Sequence, residues 1–156
     1  MLLSPEPERK LYTHQMFIDA RDYITSCKGD TKLSFTVQFA GSSDQKAINI
    51  APYRNVVSVE LKAVSFPKVD NELYYILDIP QFAGRLHSSD NSGSHERFAV
   101  IPYDSTSTNT GTAKVAKGSD FDRKYYEFQP MLRSLNRLDI HFRKYGGDIL
   151  TMNDLF

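Results

Sequence analysis

One polar loop of the chain carries side chains of the types that ligate zinc and related metals. His87, Asp90 and His95 lie in this loop, while His14 and His141 lie in separate regions of the sequence. Metal sites in β-barrel proteins place histidines on inward-facing strands with a carboxylate at fixed spacing, and no such set occurs in this sequence. A solvated loop is the favoured interpretation, and we expect neither a metal nor a cofactor.

Two tight groups of carboxylates could support acid–base chemistry if one member were desolvated. Asp120-Phe121-Asp122 precedes a predicted strand, which favours a solvated turn. In Asp19-Ala20-Arg21-Asp22 we expect Arg21 to bridge to carboxylates of the protein body or of an adjacent subunit, because a guanidinium binds carboxylates bidentately. Cys27 has no histidine nearby in sequence, and neither a Gly-X-Ser-X-Gly elbow nor a phosphate-binding glycine loop occurs. The sequence therefore predicts a protein that is not an enzyme.

The charges of the chain balance. Lysine plus arginine number 19 and aspartate plus glutamate number 19, so the formal net charge is +0 and no global field draws the molecule to phosphate backbones. Nucleic acid is not expected as the main partner. A basic group does lie near one late strand, beside Tyr145, and consists of Arg133, Arg137, Arg143 and Lys144. We interpret it as a solvated strand face, with a patch for packaged nucleic acid or an acidic neighbour as the alternative.

Size and composition are those of one globular domain. The chain has 156 residues, and a domain of that size buries roughly 70% of its unfolded surface. Its aromatic residues are 9 Tyr and 10 Phe, which favour strands and interfaces. Cys27 is the single cysteine, so we expect no disulfide and a reducing compartment. No signal-peptide pattern and no apolar stretch of ~18 residues occurs, so a soluble protein without a membrane span is expected.

Alternating apolar and polar residues dominate the sequence and predict β-strands, because a period of two places one apolar face against a core. The longest run, residues 56–66, puts Val57, Val59 and Leu61 inside and ends at Pro67. Residues 73–79 are apolar on both faces, so we expect both faces to be covered. The other predicted strands are residues 32–40, 47–50, 98–103, 113–116, 125–128 and 138–143.

Turn residues organise these strands into one sandwich. Gly146-Gly147 follow the last strand and predict a tight hairpin, since glycine supplies a positive φ, with a return strand from Ile149. Segments 84–95 and 104–111 are rich in turn formers and read as long exposed loops. About eight strands at this spacing predict an all-β fold, a single jelly-roll β-sandwich.

Residues 1–31 differ from the rest of the chain. Phe17, Ala20 and Ile24 repeat at helical spacing, which would suit a short helix, but we favour an extended arm that lies on the sandwich or on a neighbour. The predicted organisation is an N-terminal arm over residues 1–31 and a jelly-roll domain over residues 32–156.

Three segments resemble the single jelly-roll virion proteins, of minor capsid or penton type, of large eukaryotic double-stranded DNA viruses. The first is Phe17-Ile18-Asp19-Ala20-Arg21-Asp22, similar to the acidic arm of that family, which usually has Ser at the place of Ala20. The second is residues 56–67, followed by Tyr74-Tyr75-Ile76. The third is residues 135–143 with Gly146-Gly147. The chain departs from the family after this hairpin, so the last strand is expected to be short or completed by another chain.

The resemblance implies a non-enzymatic structural subunit of an icosahedral capsid, assembled in the host cytoplasm and present in the virion. Its implied partners are the major capsid protein, neighbouring minor capsid subunits and further copies of itself, as a pentamer if it lies at the vertex. The alternative is a carbohydrate- or receptor-binding jelly roll whose loops bind sugar, with Tyr103 or Tyr74 stacking on it. The candidate assembly contacts are Phe17, Ile18, Asp19, Arg21, Asp22, Arg137, Arg143 and Tyr145.

Overall fold

The protein is described by a computed structural model that covers residues 10–24, 31–39, 51–66, 74–82, 97–102, 114–117 and 125–151. Within these ranges the regular structure is almost entirely strand, which confirms the all-β class. Two single turns of 3-10 helix occur, at Ala20–Asp22 and Pro80–Phe82. The strands are β1 (Ser34–Gln38), β2 (Tyr53–Glu60), β3 (Ala63–Phe66), β4 (Tyr74–Asp78), β5 (Ala99–Pro102), β6 (Lys114–Lys117), β7 (Tyr125–Leu135) and β8 (Arg137–Arg143).

The strands pair in a nested order. The first pairs with the last, β1 with β8, and the series continues inward through β2 with β7, β3 with β6 and β4 with β5, always antiparallel. A further pairing of β4 with β8 joins two of these pairs into a four-stranded sheet of order β1-β8-β4-β5. Because each pair links distant parts of the sequence, the fold depends on long-range contacts.

The predicted long strand over residues 56–66 is two strands, and the prediction of one continuous strand is wrong. The run changes partner at Leu61 and Lys62: β2 pairs with β7, whereas β3 pairs with β6. The register of β2 also shifts between Val56 and Ser58, so Val56 and Val59 both pack against the core. A strict period of two cannot anticipate such a shift, because a bulge moves the following side chains to the other face.

Strand β7 is longer than predicted and includes a proline. The sequence indicated a strand over residues 125–128, while β7 extends to Leu135 through Pro130. Residues 128–131 fall within the register shift, since Val56 pairs with Leu132 and Ser58 pairs with Glu127. Proline lacks a backbone N–H and is tolerated in a strand where no ladder hydrogen bond is required. The bulge thus explains why Pro130 does not end the strand.

Strand β4 is buried on both faces, as the sequence predicted. Tyr75 and Leu77 belong to the main core, which also takes in Phe128 and Leu135 of β7. Ile76 and Asp78 point to the opposite face of the sheet and are nevertheless buried. The main core therefore joins the four-stranded sheet to β7, and a second covered region lies on the far side of β4.

The arm residues 10–19 have no regular secondary structure and are followed by the short turn Ala20–Asp22. At the other end of the chain, the hairpin after β8 turns through Gly147, whose φ is 89°. The predicted return from Ile149 is present as isolated bridges, Arg143 with Ile149 and Lys32 with Thr151. Among the described residues, no helix is long and apolar enough to cross a membrane.

Candidate functional site

The far side of the four-stranded sheet carries a continuous set of polar side chains, which we call the polar face. Antiparallel partners point to the same side of a sheet. Ser34 of β1 therefore aligns with His141 of β8, which aligns in turn with Asp78 of β4. One row along, Thr36 aligns with Asp139. The polar face is thus built from three strands that are far apart in the sequence.

Asp78 is the buried charge of this face. Its side chain is 1% exposed, and its Oδ2 accepts from Arg143 Nε at 2.8 Å and from Arg97 Nη1 at 3.0 Å. Arg143 also donates from Nη1 to the carbonyl of Gly147 at 2.9 Å. One carboxylate therefore connects β4 to β8, to Arg97 in the segment that leads into β5 and, through Arg143, to the hairpin turn. Its other oxygen, Oδ1, is buried without a hydrogen-bond partner in the structure as described.

Asp139 is the second carboxylate of the polar face and is fully engaged. Its Oδ1 accepts from Thr36 Oγ1 and its Oδ2 from Gln81 Nε2, each at 2.7 Å. Gln81 follows the end of β4, and its Oε1 accepts from the backbone N–H of Asp139 at 3.1 Å. Burial acts to raise the pKa of Asp139, but the hydrogen bonds from Thr36 and Gln81 and the charges of Arg137 and His141 together lower it below its ordinary value of 3.8.

This lowered pKa predicts acid sensitivity. Below pH 3.8 the unfolded chain takes up a proton at Asp139 while the folded protein keeps the carboxylate ionised, so acid favours unfolding. The contribution of Asp139 to stability is complete above its unfolded pKa and is lost as the pH falls through its folded pKa. In the wild type the free energy of unfolding should fall as the pH is lowered through this range. We expect Asp139→Asn to make this fall less steep, and Thr36→Val to make it less steep to a smaller extent. Urea unfolding across this range measures both slopes, and an unchanged slope in Asp139→Asn would contradict the assignment.

Ser34 and His141 form the one hydroxyl–imidazole contact of the described residues. Ser34 Oγ lies 2.7 Å from His141 Nδ1, a separation that a nucleophile and its general base also show. A catalytic arrangement needs a third group that orients the imidazole. Asp78, the nearest candidate in the row, directs its Oδ2 to two arginines, and none of the hydrogen bonds described for it reaches His141. The contact links β1 to β8 on the polar face.

The arm holds five of the predicted contact residues in one short segment. Asp19 caps the turn by accepting from the backbone N–H of Arg21 at 3.0 Å, and the Arg21 guanidinium binds both oxygens of the same carboxylate. The carboxylate described for Arg21 thus belongs to the arm itself. Ile18 packs against the core, whereas Phe17 is 87% exposed. Phe17 is consequently the apolar side chain of this segment that is most open to a partner.

The predicted contact residues in and after β8 have two different environments: one is held in an ion pair with the buried Asp78 and two are exposed. Arg143 is engaged with Asp78, so its described role is to hold the sheet and the turn together. Arg137 is an exposed partner of Asp139, with Nε 3.2 Å from Oδ2. Tyr145 is 60% exposed and meets the ring of Tyr74 edge to face at 5.9 Å. Arg137 and Tyr145 remain candidate contacts on this side of the protein.

Sequence reasoning missed three side chains that organise the polar face: Asp78, Gln81 and Arg97. Asp78 did carry a signal, since a carboxylate between Leu77 and Ile79 in an apolar run requires a buried partner. Gln81 and Arg97 carried none, because their partners are distant in sequence. The remaining chemical candidates lie outside the described residues: His87, Asp90, His95, Cys27, Asp120, Asp122 and Tyr103, with both polar loops. Among the described residues no group of three or more metal-ligating side chains occurs.

Comparison with known proteins gives no family for this chain: no protein-family model matches it, and no curated protein matches it at a significant level of similarity.

Proposed function

We propose that this protein is a non-enzymatic structural subunit of an icosahedral virus capsid, a single jelly roll that acts as a minor capsid or penton protein. It joins neighbouring subunits through its arm and through the surfaces of its sheets. Its place is the virion, after assembly in the host cytoplasm, and its partners are other capsid proteins and further copies of itself.

The observation that carries the proposal is the nested strand pairing. Pairs of β1 with β8, β2 with β7, β3 with β6 and β4 with β5 make one long antiparallel ribbon of two chain segments. The further pairing of β8 with β4 closes this ribbon on itself, and the resulting four-stranded sheet shares one core with β2, β3 and β7, as expected when such a ribbon rolls up into a jelly roll. This pairing supports the eight-stranded jelly roll beyond the all-β class.

Two surface features favour an assembly role within that fold. Among the described residues the four-stranded sheet ends at β1 on one side and at β5 on the other, and unpaired sheet edges accept further strands. The arm presents exposed apolar side chains next to a segment anchored on the core. Repeated burial of roughly 800 Å² per partner around a symmetric shell would then hold the assembly together.

The carbohydrate-binding alternative has one observation in its favour. Tyr145 is largely exposed and is supported from one side by Tyr74, so its ring can stack on the apolar face of a sugar. Glycan-array binding that is lost in Tyr145→Ala would favour this function over the structural one.

The direct test is to locate the protein in particles. Antibodies raised against the recombinant chain should label purified virions from cells that encode it, and quantitative mass spectrometry should give a fixed number of copies per major capsid protein. Labelling confined to the cytoplasm, with no copies in purified particles, would refute the capsid role.

Truncation separates the role of the arm from the folding of the body. Ile24 is buried and Tyr23 stacks on Phe35 at 5.4 Å, so a deletion of residues 1–31 removes part of the core. Deletion of residues 1–17 leaves these contacts in place. We expect the shorter deletion to keep the cooperative unfolding transition and to reduce incorporation into particles at least tenfold, measured by copies per particle. Normal incorporation of this truncated chain would rule out the arm as the tether.

A further inference from the structure

The arm has an anchored part and a projecting part. The anchored part is residues 18–24, where Ile18 and Ala20 pack against the core, Tyr23 stacks on Phe35 and Ile24 is buried. The projecting part, residues 10–17, precedes it. Three of its large apolar side chains are more than three-quarters exposed: Leu11 at 76%, Tyr12 at 79% and Phe17 at 87%.

The backbone of the projecting part makes no described hydrogen bond with the rest of the protein. It has no regular secondary structure, and no hydrogen bond is described for residues 10–18. Its described contact with the body is the ring of His14 against that of Tyr53 at 5.4 Å. A segment with unpaired backbone groups and exposed apolar side chains has the properties of a strand that adds to the edge of another sheet.

An edge of suitable kind exists on the same protein. β1 pairs with β8 on one side, and nothing among the described residues pairs with its other side. The anchor on Phe35 places the arm beside this strand, yet its own projecting part lies at Tyr53 instead. Within the described part of the chain, the β1 edge is therefore open to an arm that comes from another copy.

The area of the projecting part favours a second copy of this chain as the partner. Exposed Leu11, Tyr12, Met16 and Phe17 together offer about 400 Å² of side-chain surface, if each aromatic ring buries about 150 Å². One arm docked on a foreign protein would supply about half of the roughly 800 Å² per partner of a standard interface. Two arms exchanged across a twofold axis supply the whole, because each copy then donates one arm and receives one.

We propose that two copies of this chain exchange arms, the projecting part of each copy adding as a strand to the β1 edge of the other. The exchange rests on the geometry of the arm and of β1, and it holds whether or not the protein is a capsid subunit.

The oligomeric state of the full chain tests the exchange. Sedimentation equilibrium should show a reversible dimer, and the double variant Tyr12→Ser, Phe17→Ser should weaken dimerisation by at least roughly a hundredfold, since buried aromatic anchors dominate such interfaces. The matched control is Met131→Ser, which removes an exposed apolar side chain of β7, outside the arm, and should leave the dimer unchanged. A chain that is monomeric at all concentrations, or a dimer that persists in the arm variant, would overturn the proposal.

Cross-linking tests the site of docking with both aromatic anchors of the arm in place. In a Cys27→Ser background, a tagged chain with Gln15→Cys, an exposed residue of the arm, is mixed with an untagged chain with Gln38→Cys, and a short bismaleimide is added. The exchange predicts a tagged–untagged product, and a pair of Gln15→Cys with Met131→Cys on β7 serves as the control that should not react. Absence of the first product under conditions where the chains dimerise would place the interface elsewhere and overturn the proposal.

Discussion

Replacing Asp78 with alanine is expected to lower the free energy of unfolding by about 3–5 kcal/mol, because removal of one member of a buried ion group leaves the remaining charge uncompensated. Asp78 lies on a central strand, 1% exposed, and its Oδ2 is shared by Arg97 and Arg143. Without it the guanidinium groups of Arg97 and Arg143, whose side chains are 27% and 21% exposed, lose the carboxylate that they share. Urea unfolding monitored by tyrosine fluorescence gives the measurement.

A double variant distinguishes the charge from the volume of the side chain. Asp78→Ala leaves Arg143 without its carboxylate partner. If this loss causes the destabilisation, the double variant Asp78→Ala, Arg143→Ala should lower the free energy of unfolding by less than the sum of the two single changes. The matched surface control is Glu60→Ala, which breaks an exposed ion pair with Lys62 and should cost 0–1 kcal/mol. Additive effects in the double variant would show that the two side chains do not act together.

The second large effect is expected from Phe82→Ala, which should cost about 3–5 kcal/mol. Phe82 ends the short turn after β4 and is 3% exposed. Its ring lies 5.3 Å from Phe98, 5.8 Å from Tyr126 and 5.6 Å from Phe128. The residue therefore connects the end of the four-stranded sheet to β7, and its truncation leaves a cavity among three aromatic rings.

Phe17→Ala is the natural control for this change, since it removes the same side chain from a position that is 87% exposed. Measured at low concentration, where the arms are not exchanged, it should alter the free energy of unfolding by no more than about 0.5 kcal/mol. A loss below about 1 kcal/mol for Phe82→Ala would show that the surrounding rings close the cavity, and the linking role of Phe82 would be wrong.

The sequence determined the elements that depend on local pattern. Alternation in residues 33–39 and 138–143 predicted β1 and β8 with the correct buried faces, because one side chain in two faces the core. The apolar residues on both faces of β4 predicted its double burial. The glycine pair predicted the hairpin, where Gly147 adopts the positive φ. These patterns are local, and the folded structure keeps them because burial in the core stabilises the same alternation of apolar and polar side chains.

What the sequence left undetermined is decided by partners that are distant along the chain. The break between β2 and β3 follows from the change of partner from β7 to β6, and the passage of β7 through Pro130 follows from the register shift opposite Val57. The polar face arises because β1, β8 and β4 lie side by side, which brings Asp78 to Arg143 and Thr36 to Asp139. Strand pairing over such separations depends on burial and hydrogen bonding in three dimensions, so local propensity cannot specify it.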